Sequence, residues 1–240
     1  MVDQRGWRGK IGVAVPATNT MVQPDFDDLR PDGVTNHVSR IAVPNMAIEN
    51  DADFDRLIRI CESELDGAVD RVMSAAPDVL VIGISSLLVW DGLAASEKRR
   101  NALSRRTGLP VTGGSFAIAE ALRQAGQKRI AVISPYPQIA NDHITRFFAD
   151  SGFEVTGFIG LHAPSPLAIA DITAGRLTEA LDAVDSDAAD ALVQFGTNMS
   201  FQEQAAAEAA KRGKPVHAIN AATYRHALSL LPVPMVPAGG

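Results

Sequence analysis

Asn19, Ser85, Ser86, Thr197 and Asn198 each stand at the end of an apolar run, and amides and hydroxyls there can grip a small anion where no positive charge is at hand. Asparagine carries the stronger case, since its amide both donates and accepts; its plain alternative is a turn-forming role. Serine as a nucleophile needs an adjacent base, and the local sequence around Ser85-Ser86 supplies none, so both are read as hydrogen-bond donors, with Ser86 alternatively just ending a strand. Tyr136, Asp91 and His217 are the titratable groups to weigh for moving a proton at a reacting carbon. Each has a structural alternative: Tyr136 stacking on its loop between two prolines, Asp91 capping the helix that follows Gly92, His217 packing in a short strand. His226 falls inside the last helix and is read as structural or interfacial. Gly113-Gly114 is too short for a phosphate loop and lacks the dinucleotide spacing.

These residues are positioned by a pattern that the chain writes twice. Asp78–Ser86, DVLVIGISS, and Asp190–Asn198, DALVQFGTN, are matching buried strands that run into polar loops, and Lys10–Pro16 is matched by Arg129–Ser134. His37–Pro44 and Glu154–Leu161 read as second strands, Leu109–Thr112 and Pro215–Ile219 as fourth strands. Between Asp53 and Ala76 the residues Phe54, Leu57, Ile58, Cys61, Leu65, Ala68, Val69 and Val72 recur at helical steps, which places Cys61 on a buried stripe. Further helices are expected over Gly92–Arg106, Phe116–Gln124, Ile139–Asp150, Leu167–Val184 with a break near Gly175, Gln202–Arg212 and Ala221–Leu231. Pro24 to Gly33 is an acidic, proline-bounded segment, Asn45–Asp53 a loop able to act as a lid, and Pro232–Gly240 a surface tail. Alternating strands and helices imply parallel sheets with right-handed crossovers. The expected α/β fold is therefore two pseudo-symmetric, doubly wound parallel-sheet lobes, residues 1–126 and 127–240, with helix 221–231 free to pack on the first. Ligands of such sheets sit beyond the carboxyl ends of the strands, so the expected site is the cleft between the lobes.

With 46% apolar residues, 21% charged and a net charge of −6, the chain has no general attraction to nucleic acid or to an anionic membrane. The sole cysteine, Cys61, excludes an internal disulfide and a multi-cysteine metal site and fits a reducing compartment, with cytoplasm as the expectation. No stretch approaches the ~20 apolar residues of a membrane helix. A buried mid-helix thiol is read as packing rather than chemistry.

The segment Val15-Pro16-Ala17-Thr18-Asn19-Thr20, together with Gly83–Gly92, Pro135-Tyr136, Gly196–Met199 and Lys214–Leu228, resembles the aspartate/glutamate racemase superfamily, in its maleate isomerase and arylmalonate decarboxylase branch. The resemblance implies the racemase-like two-lobed fold and a small carboxylate held between the lobes without metal or organic cofactor. It further implies an enolate-like intermediate stabilised by strand-tip donors, and a homodimer. Asn19 and Tyr136 would hold a substrate carboxylate, Ser85, Ser86, Thr197 and Asn198 would supply further donors, and Pro16 and Gly196 complete the substrate-binding set. The family's two thiol positions fall here at Ile84 and Gly196, so the resemblance excludes two-thiol racemisation and directs attention to a group other than sulfur. Three readings follow: an isomerase or decarboxylase of a maleate- or malonate-like acid, a hydrolase or lyase using the same oxyanion cradle, and a non-catalytic carboxylate-binding or sensor protein.

Overall fold

The structure, a computed structural model, describes residues 3–232. The first half runs β1 (Gly9–Pro16), α1 (Val22–Asp28), β2 (Val34–Ile41), α2 (Asp51–Met73), β3 (Val79–Ile82), α3 (Ser85–Val89), α4 (Gly92–Thr107), β4 (Val111–Gly113) and α5 (Gly114–Gln124). The second runs β5 (Arg129–Ser134), α6 (Gln138–Asp150), β6 (Glu154–Gly160), a 3₁₀ turn (Ala168–Asp171), α7 (Ala174–Val184), β7 (Ala191–Gln194), α8 (Gln202–Arg212), β8 (Val216–Ala218) and α9 (Ile219–Ser229). Each half is a four-stranded parallel sheet, in the order β2-β1-β3-β4 and β6-β5-β7-β8. The same order in both accounts for the two matching strand-and-tip segments, because β3 and β7 hold equivalent places beside β1 and β5.

Several boundaries differ from those expected, each for a local reason. The second strand is Val34–Ile41, not His37–Pro44, because it pairs with all of β1 from Gly9 opposite Val34 to Pro16 opposite Ile41. The acidic segment after Pro24 is helical as α1. The break in 167–184 falls at Ile172-Thr173 rather than Gly175: the Thr173 hydroxyl accepts from the Arg176 N–H at 3.3 Å and caps α7. α9 begins at Ile219, ending β8 one residue after His217. From Val233 onward the tail lies outside the described residues.

One continuous core joins both halves, from Phe54, Leu57 and Ile58 of α2 through Leu87 and Trp90 to Ile133, Phe148 and Phe195. A second cluster contains Ile11, Val13, Val79 and Val81 of the first sheet with Phe26 of α1 and Tyr224 and Ala227 of α9. The last helix among the described residues therefore covers a face of the first sheet. Its Tyr224 ring lies 4.8 Å from that of Phe26, and its hydroxyl donates to Asn36 Oδ1 at 2.9 Å.

Candidate functional site

A single cavity opens where the carboxyl ends of the two sheets face each other. It is lined by Pro16, Thr18 and Asn19 after β1, Ile84 and Ser86 after β3, Pro135 and Tyr136 after β5, and Thr197 and Asn198 after β7. Its empty volume is about 600 Å³ with the open mouth included. Val43 and Ile48 of the 42–50 loop, and Ala163, Ser165, Pro166 and Ile169 from the second half, roof it. These loops are joined across the roof, Ile48 N–H donating to Pro164 O at 2.8 Å and Leu167 N–H to Asn45 Oδ1 at 3.1 Å. Among the described residues lining the cavity, none carries a charge.

Two tight turns contribute residues to the lining of this cavity. Asn19 N–H closes one on Pro16 O at 3.0 Å, and Met199 N–H closes the other on Gly196 O at 3.1 Å. The N–H groups inside these turns, those of Thr18, Thr197 and Asn198, have no acceptor among the described residues. Gly196 is required for this shape: a Cβ there would lie 2.5 Å from Pro135 Cδ. The position that the family resemblance assigns to a thiol therefore admits no side chain unless Pro135 moves. Ile84, at the other such position, is 4% exposed and forms part of the apolar wall.

The two asparagines do more than line the cavity. Asn19 Oδ1 accepts from the N–H groups of Met21 and Val22 at 3.0 and 2.9 Å, which fixes the start of α1, and its Nδ2 donates to Thr197 Oγ1 at 3.3 Å. Asn198 Oδ1 accepts from Thr20 N–H at 2.8 Å, and its Nδ2 donates to Thr18 O at 3.4 Å and Pro166 O at 3.0 Å. Asn198 thus spends its amide on tying the halves together, and Asn19 keeps one side-chain N–H without a partner among the described residues. Thr197 Oγ1 also crosses the cleft, donating to Gly83 O at 3.2 Å.

Of the three proton carriers weighed in the sequence, only Tyr136 reaches the cavity. Its hydroxyl meets Ser85 Oγ at 3.2 Å, and Ser85 stands fully buried behind it rather than on the cavity wall. Burial pushes the phenol above its usual range, against the pull of the Ser85 and Ser86 hydroxyls, so at neutral pH it holds its proton. Asp91 is on the outer surface, within 3.5 Å of Arg99 and 3.9 Å of Arg59, and its side chain makes no cap for α4. The ion pairs compete for the carboxylate that a cap would need. His217 lines a separate groove between α5, α8 and α9 and shares a hydrogen bond with Gln127 Oε1 at 2.8 Å. His226 pairs with Thr112 Oγ1 at 2.7 Å, a structural contact.

Sequence reasoning left out the apolar half of the cavity. Phe54, Leu57, Ile58 and Cys61 of α2 form its wall, although the helical stripe on which they lie reads as ordinary core. Cys61 is thus both buried, at 3% exposure, and a neighbour of the cavity. Burial pushes its thiol up to about 12, which at pH 8 leaves about one thiol in ten thousand ionised. Iodoacetamide at that pH is expected to leave Cys61 unlabelled in the native protein and to label it fully in denaturant, as read by mass spectrometry. Native labelling at the rate of a free thiol would show the burial to be wrong.

Comparison with known proteins shows the family and the fold. The model of a family described as arylmalonate decarboxylase matches residues 11–239. A maleate isomerase of Pseudomonas putida is 27% identical over 245 residues, covering 96% of this chain and 95% of that protein. An arylmalonate decarboxylase of Bordetella bronchiseptica is 28% identical over 169 residues, covering 70% of this chain and 67% of its own. Among solved structures, a cysteine-to-serine variant of the Nocardia farcinica maleate cis–trans isomerase, with a covalently bound succinylcysteine intermediate, superposes with a TM-score of 0.83. It is 19% identical, with 92% of this chain and 91% of that one covered, and shows the shared fold.

Proposed function

The chain belongs to the arylmalonate decarboxylase family and is an enzyme of its isomerase and lyase group, and on that premise we propose that it decarboxylates a small malonate-like acid bearing an apolar substituent, with no cofactor and no thiol. The observation that carries this reading is the division of one cavity's lining between neutral hydrogen-bonding groups at the strand tips and apolar side chains of α2 and the 42–50 loop, with Tyr136 meeting both Ser85 and Phe54.

The chemistry follows from that division. One carboxylate is held by the free N–H groups of Thr18, Thr197 and Asn198, the remaining N–H of Asn19 and the hydroxyl of Ser86. The second carboxylate, turned toward Val43, Leu57, Ile58 and Ile84, loses its hydration there, and it sheds its charge by leaving as CO₂. The electron pair of the broken carbon–carbon bond moves into the retained carboxylate as an enediolate, where the same donors stabilise the added negative charge. Tyr136 then gives its proton to carbon and is reprotonated from water. The net change is loss of CO₂ and gain of one proton.

Cis–trans isomerisation is less well served. Rotation about a carbon–carbon double bond needs transient addition of a nucleophile, and the Nocardia relative holds its succinyl intermediate on a cysteine. Here Gly196 excludes a side chain and the Cys61 thiol is neutral.

Proton NMR of the protein incubated with phenylmalonate, methylmalonate, maleate and aspartate tests the assignment. Loss of a substituted malonate, with one deuteron incorporated per turnover in D₂O, is expected. Conversion of maleate to fumarate would replace decarboxylation by isomerisation. Thermal stabilisation by these acids without turnover would make the protein a binder.

A further inference from the structure

A single buried amide links the cavity to a carboxyl group outside it. Asn220, in the first turn of α9, donates from Nδ2 to Thr197 O at 2.9 Å and to Asp25 Oδ2 of α1 at 2.7 Å. Asn220 is 3% exposed, and its Oδ1 has no hydrogen-bond partner. An orphaned amide oxygen at such a depth is costly, and a carboxyl group facing an amide relieves it only when protonated. The acid then pairs twice, O–H to the amide oxygen and amide N–H to the acid carbonyl.

The surroundings favour that state. Asp25 is partly withdrawn from water, and the charged groups facing it, Asp28 on its own helix and Glu203 on α8, are both carboxylates. Burial first, then these two, raise its pKa to about 6 against the opposing hydrogen bond from Asn220. α1 is moreover the helix whose first N–H groups are held by Asn19, so it touches both cavity turns, one through each end of this chain of contacts.

We propose that Asp25 is a positioning residue for the cavity: protonated and doubly paired with Asn220, it fixes the Thr197 carbonyl and with it the 196–199 turn that receives the substrate. The role in substrate binding rests on the function proposed above, whereas the state of the turn can be read without any ligand. Because Asp25 binds its proton more tightly folded than unfolded, its contribution is whole below about pH 4 and is lost as pH rises through about 6.

The experiment is amide exchange at Met199, whose N–H closes the turn, measured by NMR without ligand at pH 5.2 and 7.5 and corrected for intrinsic exchange. In the unmodified protein, protection is expected to fall about tenfold between the two. Asp25→Asn stays neutral and can pair twice with Asn220, so it should keep the low-pH protection at both. Its unfolding midpoint should exceed that of the unmodified protein at pH 7.5 and match it at pH 4. Asn220→Ala should lose protection at both. Equal protection of the unmodified protein at the two pH values, or a pH dependence that persists in Asp25→Asn, would overturn the proposal. The KM for phenylmalonate should rise with pH in the unmodified protein and stay level in Asp25→Asn, with kcat little changed in either. If Met199 exchange behaves as expected while phenylmalonate is neither bound nor consumed, the positioning device stands and the substrate assignment fails.

Discussion

Replacing Tyr136 by phenylalanine should lower kcat on a substituted malonate by about 10²–10⁴-fold while KM changes little, the range expected when a single general acid is removed. The argument is one of elimination inside the cavity. Among the described lining residues the only side chains with a titratable proton are Tyr136 and Cys61, and the remaining lining side chains are neutral and non-titrating. Cys61 sits on the α2 wall among apolar neighbours, whereas Tyr136 is at the tip of β5 with its hydroxyl hydrogen-bonded to Ser85. The substitution keeps the ring and its packing 5.3 Å from Phe54, so the fold should survive, and unchanged circular dichroism would establish that. Two companion measurements separate the outcomes. If Tyr136→Phe retains activity and Cys61→Ala loses it, the proton travels through sulfur and the thiol-free mechanism is wrong. If both retain activity, the proton comes from water. The phenol is pushed upward by burial, so kcat should fall at alkaline pH only above the usual tyrosine range.

Removal of the Asn198 amide should have the largest effect on the folded state. Asn198→Ala deletes the contacts to Thr20 N–H, Thr18 O and Pro166 O, all of which join the two halves or the roof. At about 0.5–1.5 kcal/mol for each net hydrogen bond, with a further cost for polar groups left buried, the loss is roughly 2–4 kcal/mol. For a chain of this size that corresponds to a fall in Tm of roughly 5–12 °C. Calorimetry would measure it, and a fall below about 2 °C would mean that these contacts do not hold the halves. Activity should fall as well, because the turn that carries the Asn198 N–H loses its anchors to Thr18, Thr20 and Pro166, and substrate should restore part of the lost Tm. Asn198→Asp is a useful companion. It keeps an acceptor for Thr20 N–H but loses the donor to Pro166 O and places a negative charge beside the bound carboxylate, so it should bind substrate more weakly than Asn198→Ala does.

The repeated strands and the turns after them were legible because apolar β-branched runs ending in small polar residues have one economical solution in a parallel sheet. That pattern placed Asn19, Ser86, Tyr136, Thr197 and Asn198 at strand tips, and all five line the cavity. It could not tell a ligand-binding amide from a structural one. The three partners of Asn198 come from Thr18, Thr20 and Pro166, far from it in sequence and brought close only by the facing of the sheets. Asp91 and His217 looked eligible by type and neighbourhood, yet partners from other elements claim them: Arg59 and Arg99 for the first, Gln127 for the second. The apolar wall was hidden for a different reason. Phe54, Leu57, Ile58 and Cys61 share one stripe with Leu65, Ala68 and Val69, and periodicity alone does not reveal where a stripe stops facing the core and begins facing a void. Asp25 gave no signal, since an aspartate in an acidic helix reads as solvated until α9 arrives over it.

The return of α9 across the first sheet bears on how such a doubled molecule can be divided. Two copies of one ancestral unit would be expected to survive gene fission, each fragment folding and later reassociating. Here a fragment ending at residue 126 would leave Ile11, Val13, Val79 and Val81 without Tyr224 and Ala227 over them, so it should precipitate when produced alone and be rescued by co-expression of the remainder. The crossing of α9 thus makes the halves interdependent: the first sheet is finished only by a segment made last.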